Sequence, residues 1–104
     1  MAKGKFPKEL WTAIREHHKW HGDKNVKLIK WVYSPLDLEA LVVQFTDSEG
    51  DDLSALFLCD LWKDGHYDVT ELCSFVREYE DTMIENYEDG LYGGVVPNGQ
   101  QTDE

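Results

Sequence analysis

Positive charge is what this chain runs out of first. After residue 30 only Lys63 and Arg77 are cationic, against eighteen acids. So negative a segment repels nucleic acid and anionic membranes, which excludes direct phosphate binding through it. Cysteine is scarce as well. Cys59 and Cys73 both sit in apolar settings and read as buried, reduced thiols rather than a disulfide staple. No apolar run approaches ~20 residues, so no membrane span is expected. The opening MAKGKFPKEL lacks the hydrophobic core of a secretion signal, and a cytoplasmic location is the expectation. Glycine-rich phosphate loops, a GxSxG elbow and paired CxxC motifs are missing too. The chain is therefore read as non-enzymatic, with no catalytic residue and no cofactor.

What is present is aromatic and sharply polarised. Four tryptophans, five tyrosines and four phenylalanines in 104 residues are ample for one hydrophobic core and argue against disorder throughout. The net charge of −11 is unevenly spread: residues 1–30 carry +5 and the remainder −16. We read residues 1–89 as a single domain. Residues 90–104, glycine-rich and aperiodic, read as a flexible tail from which Leu91, Tyr92, Val95 and Val96 can dock back on the body.

Periodicity orders the domain. Phe6-Pro7 opens a helix running to about His21 and stopped by Gly22, with Leu10, Trp11, Ile14 and His18 on one face. Trp20 lies off that stripe and is expected to be partly exposed. Three strand-like runs follow, at Val26–Tyr33, Leu38–Thr46 and Leu53–Trp62. In the third, Leu53, Ala55, Phe57, Cys59 and Leu61 alternate with Leu56, Leu58 and Trp62. Both faces are apolar, which marks a central or doubly covered strand. Lys63-Asp64-Gly65 then reads as a tight turn into a last helix.

That helix is expected over Asp68–Asp89. Val69, Leu72, Cys73, Val76, Tyr79, Met83 and Tyr87 recur at three- and four-residue steps, and Glu71, Glu78, Asp81, Glu85 and Glu88 recur on the opposite side. Asp68 with Glu71 resembles a capping box, and Gly90 is a natural stop. The resulting fold class is α+β: a helix, a three-stranded antiparallel sheet and a helix (αβββα), with both helices on one face in two layers. The same order occurs in double-stranded-RNA-binding domains. Those carry lysines at the start of the last helix, where this chain has Asp68, Val69, Thr70 and Glu71.

The acid row costs about 0.2–0.5 kcal/mol for each like-charged pair on adjacent turns. It is the main functional clue. Its five residues, with Asp47, Glu49, Asp51 and Asp52 of the loop between the second and third strands, form the candidate partner-binding set. Trp62 and Tyr67 are the expected apolar anchors beside it. The partner these point to is a basic protein, such as a nuclease, helicase or other nucleic-acid-handling complex. In charge, though not in any motif, the chain resembles small phage DNA mimics and inhibitors of defence systems. Five carboxylates over seventeen helical residues give one per ~5 Å, against a charge per ~1.7 Å of duplex, so the helix alone is too sparse to imitate DNA. Asp47, Glu49, Asp51, Asp52, Asp60 and Asp64 would have to join it on the same side. An immunity protein that neutralises a basic toxin is the second reading. An adaptor binding nucleic acid through Lys8, Trp11, Arg15, Lys19 and Trp20 is the third.

Two weaker constellations complete the survey. His17 and His21, one turn apart, have the spacing to share a divalent ion, but no HExxH glutamate accompanies them, and Arg15 and Lys19 disfavour a cation. The loop Asp47–Asp52 has a calcium loop's composition without its spacing. No metal ligand is assigned.

Overall fold

The structure, a computed structural model, describes residues 6–36 and 38–91. Leu10, Ile14 and His18 recur every four residues, so one stripe of helix α1 (Lys8–Trp20) turns inward, and all three are buried. Pro7 precedes the first turn and leaves α1 without a side-chain cap. Four strands follow, β1 (Lys24–Tyr33), β2 (Glu39–Thr46), β3 (Asp52–Leu61) and β4 (Tyr67–Val76). They form one antiparallel meander in the order β1-β2-β3-β4. A 3₁₀ turn (Arg77–Tyr79) leads into helix α2 (Glu80–Glu88).

The fold class is α+β, but two features depart from the sequence expectation. The sheet has four strands rather than three, and the helices cover opposite faces rather than one. The central strands explain the second difference. Leu41, Val43, Phe45, Ala55 and Phe57 pack under Leu10 and Ile14 of α1. The alternate residues Ala40, Val42 and Leu56 pack under Met83, Ile84 and Tyr87 of α2. Strands apolar on both faces need cover on both, and helices confined to one face would leave Val42 and Leu56 wet.

The extra strand is the first half of the expected last helix. Tyr67 and Val69 pack toward α1, and Glu71 lies on the same side opposite Phe57. A bulge then inserts Leu72, after which Cys73 and Phe75 pack toward α2. Alternation broken by one extra residue spaces Val69, Leu72, Cys73 and Val76 at three, one and three, which imitates a helical stripe. Lys63-Asp64-Gly65 accordingly turns between two strands rather than into a helix, with Gly65 at φ 94°.

A polar clasp fastens α2 to its face of the sheet. Ser54, fully buried in β3, donates its hydroxyl to Glu80 Oε1 at 2.5 Å, and Gln44 Nε2 of β2 donates to the same oxygen at 2.8 Å. At the far end the Tyr87 hydroxyl donates to the Leu38 carbonyl at 2.9 Å. Gly90, at φ 83°, closes the helix: its N–H bonds Tyr87 O at 3.0 Å, and the Leu91 N–H reaches Asn86 O at 2.9 Å. Glu80→Ala would strand the Ser54 hydroxyl in the core. An equilibrium urea titration should register a loss of about 1–3 kcal/mol, and Glu80→Gln, whose amide oxygen can still accept both bonds, should cost less. Of the expected tail, only Gly90 and Leu91 fall within the described residues; the docking expected of Tyr92, Val95 and Val96 lies outside them.

Candidate functional site

The expected acid row is divided by the fold. Glu71 belongs to β4 and faces α1, with its Oε1 3.4 Å from His17 Nε2. Asp81, Glu85 and Glu88 remain together as an exposed row on α2, and Glu78 precedes them, exposed, in the 3₁₀ turn. Asp81 lies in the first turn, where the helix dipole favours it. Glu88 lies in the last turn, where the dipole opposes it, and no base there offsets the charge.

The loop between β2 and β3 meets the start of this row. Leu53 pairs with Val76, so the chain leaves β4 beside the loop, and Arg77 ties the two together. Its Nη2 donates to Phe45 O at 3.0 Å, and its Nη1 lies 3.9 Å from Asp52 Oδ2. Asp47 is committed to the loop itself, accepting the Glu49 and Asp51 N–H groups at 3.0 and 2.9 Å. Glu49, Asp51 and Asp52 are exposed, as are Glu78 and Asp81. Asp60 and Asp64 do not join them: Asp60 lies eight residues further along β3 than Asp52, about 27 Å away.

The expected apolar anchors move with the helix boundary. Trp62 and Tyr67 flank the turn between β3 and β4, far from the start of α2. Trp62 stacks on His66 with ring centroids 5.8 Å apart, and Tyr67 packs into the core beneath α1. The exposed aromatic beside the acids is instead Tyr79, which sequence periodicity assigned to the core.

Asp64 and His66 meet in the turn between β3 and β4, where the His66 backbone N–H donates to Asp64 Oδ1 at 3.1 Å. The His66 backbone N–H and imidazole hold the exposed Asp64 carboxyl below its ordinary range. Cys73 lies beyond the bulge from this pair, about 20 Å along β4. Burial pushes the Cys59 thiol up to about 12, so it stays protonated and is no nucleophile near neutrality.

The histidines divide in the same way. His18 is buried between Phe45 and Phe57, at ring centroids 4.3 and 5.4 Å, and its Nδ1 meets Asp23 Oδ2 at 2.7 Å. A carboxylate only accepts, so Nδ1 carries the proton. Nε2 is buried without a hydrogen-bond partner among the described residues. Burial lowers the His18 pKa from its ordinary 6.5, against the opposing pull of Asp23. The unfolded chain therefore takes a proton that folded His18 refuses. This contribution to stability is present above about pH 7 and lost as pH falls through 6.5 toward the lowered value. Thermal melts with a chelator present should show that decline, and His18→Gln should flatten it relative to wild type.

β1 is an edge strand with Lys24, Lys27 and Lys30 exposed, and Lys27 and Lys30, paired with Gln44 and Val42, lie on the face of the sheet that α2 covers. A groove of about 600 Å³ between β1 and α1 is lined by Arg15, Lys19 and Lys24. Arg15 also lies over the Trp11 ring, 5.6 Å from its centroid. Trp20, 86% exposed, points to the other flank of α1. Among the described residues no helix is long and apolar enough to cross a membrane. Comparison with protein families, curated proteins and solved structures finds no match for this chain.

Proposed function

We propose that this chain is a small non-enzymatic interaction protein whose acidic side occupies a basic, nucleic-acid-binding surface of a partner, such as a nuclease, helicase or defence complex. The observation that supports this is the tie between two acidic elements: Arg77 joins the loop that carries Glu49, Asp51 and Asp52 to the turn that carries Glu78 and leads into the α2 row Asp81, Glu85 and Glu88. Each carboxylate is exposed and placed to receive a lysine or arginine, with Tyr79 as the apolar contact. Three carboxylates over the ~10.5 Å from Asp81 to Glu88 give one per ~3.5 Å, against ~1.7 Å for duplex. The chain fills a basic groove without reproducing DNA charge for charge. The first test is immobilised chain exposed to bacterial lysate, washed at rising salt and then eluted with duplex DNA. A DNA-eluted, nucleic-acid-handling protein supports the proposal, and recovery of nucleic acid alone overturns it.

A second reading, a nucleic-acid adaptor, rests on the Arg15–Lys19–Lys24 groove. It predicts salt-sensitive binding of labelled RNA or DNA, lost in Arg15→Glu/Lys19→Glu.

A further inference from the structure

Glu71 occupies a position that the fold does not explain. Tyr67, Val69 and Glu71 form the row of β4 that faces α1, and the first two pack into the core. A carboxylate in third place must be desolvated in part, and its side chain is 33% exposed. The contact it makes in return is weak as a hydrogen bond: His17 Nε2 lies 3.4 Å from Oε1, beyond the usual 2.7–3.2 Å.

That distance fits a different geometry. Nitrogen and oxygen donors about 2.1 Å from one tetrahedral ion are separated by about 3.4 Å. A second imidazole stands one turn along α1, where the His17 and His21 ring centroids are 4.8 Å apart and the rings tilted by 48°. Arg15 and Lys19 do not interfere. Each is two residues from His17, about 160° around the helix, and both line the groove on the β1 side.

We propose that His17, His21 and Glu71 form a surface site for a divalent transition metal of the zinc class, clasping α1 to the edge strand β4. As placed, no three His, Cys, Asp or Glu side chains among the described residues surround one point. His21 is exposed, and rotation of its side chain supplies the third donor. Two imidazoles and one carboxylate select zinc, nickel or copper over magnesium and calcium, and the solvent side leaves the fourth position to water. Because the ion binds the folded chain alone, it stabilises the fold by mass action.

The test is calorimetric titration of zinc chloride into the untagged, chelator-stripped full chain, with thermal melts in parallel. One site per chain is expected, together with a raised melting temperature. Glu71→Gln and His21→Ala should each weaken binding at least tenfold and abolish the thermal shift. His66→Ala, which alters the exposed His66–Asp64 pair, should leave both unchanged. Circular dichroism confirms that the variants fold. Absent binding in the wild-type chain, or binding that survives both Glu71→Gln and His21→Ala, overturns the proposal.

Discussion

Changing Asp81, Glu85 and Glu88 together to lysine is expected to weaken capture of the basic partner at least about 100-fold, some 2.7 kcal/mol or more. Each reversal removes a charge-assisted hydrogen bond and sets a cation against a cation, and like charges across an interface cost several kcal/mol in total. The fold should not register the change. The three residues are exposed, and stability should stay within about 1 kcal/mol of wild type: a row of lysines repels itself as the acids did, and the dipole term lost at Asp81 is recovered at Glu88. Glu88→Lys alone is the sharper case. It converts a repulsive pair with Glu85 into an attractive one and places a cation at the C-terminus of α2. The variant should be more stable than wild type by about 0.5–1 kcal/mol, yet bind less well. Stability and binding moving in opposite directions is what distinguishes an acid retained for a partner from one retained for the fold. Urea denaturation together with affinity for the isolated partner reads both, and full binding by the triple variant would remove α2 from the site.

Phe57→Ala is expected to be the most damaging single core change, costing about 3–5 kcal/mol. Phe57 is fully buried in β3 and joins the sheet to α1 through ring contacts with His17 at 5.0 Å and His18 at 5.4 Å. Removing the ring opens a cavity beneath the end of the helix that carries all the α1 histidines. In a domain whose whole stability is of order 5–15 kcal/mol, that is a large share. With a urea slope of about 1–3 kcal/mol/M, the unfolding midpoint should fall by at least about 1 M. A loss under about 1 kcal/mol would mean that α1 is held elsewhere, with Leu10 and Ile14 the first residues to examine.

The parts of the fold written in unbroken periodicity were legible in the sequence. The stripe of Leu10, Ile14 and His18 places α1, and the two apolar faces of Leu53–Trp62 mark β3 as central, between β2 and β4. Trp20, off the stripe, is exposed as expected. The misreading of Tyr67–Val76 has a local cause. The Leu72 bulge shifts the side-chain alternation by one, and the shifted pattern has helical spacing. A stronger signal lay in residue type: Tyr67, Val69, Thr70, Phe75 and Val76 favour a strand whatever their spacing. The same error misassigned Glu71 to the acid row and Trp62 and Tyr67 to its rim. It also concealed the approach of Glu71 to His17, because contact between residues 54 positions apart depends on sheet register and has no local signature. Asp81, Glu85 and Glu88 survived because their spacing lies wholly within the true helix.

The central claim, that the acidic side competes with nucleic acid for one surface, is tested most directly by a competition titration. A fluorescently labelled duplex is first bound to the captured partner, and the chain is then added in steps while polarisation is followed. Displacement to completion at about one chain per binding site, lost in the Asp81, Glu85 and Glu88 lysine variant, is the predicted result. A ternary complex that retains the duplex at saturating chain would contradict the account and place the partner's contact away from its nucleic-acid-binding surface.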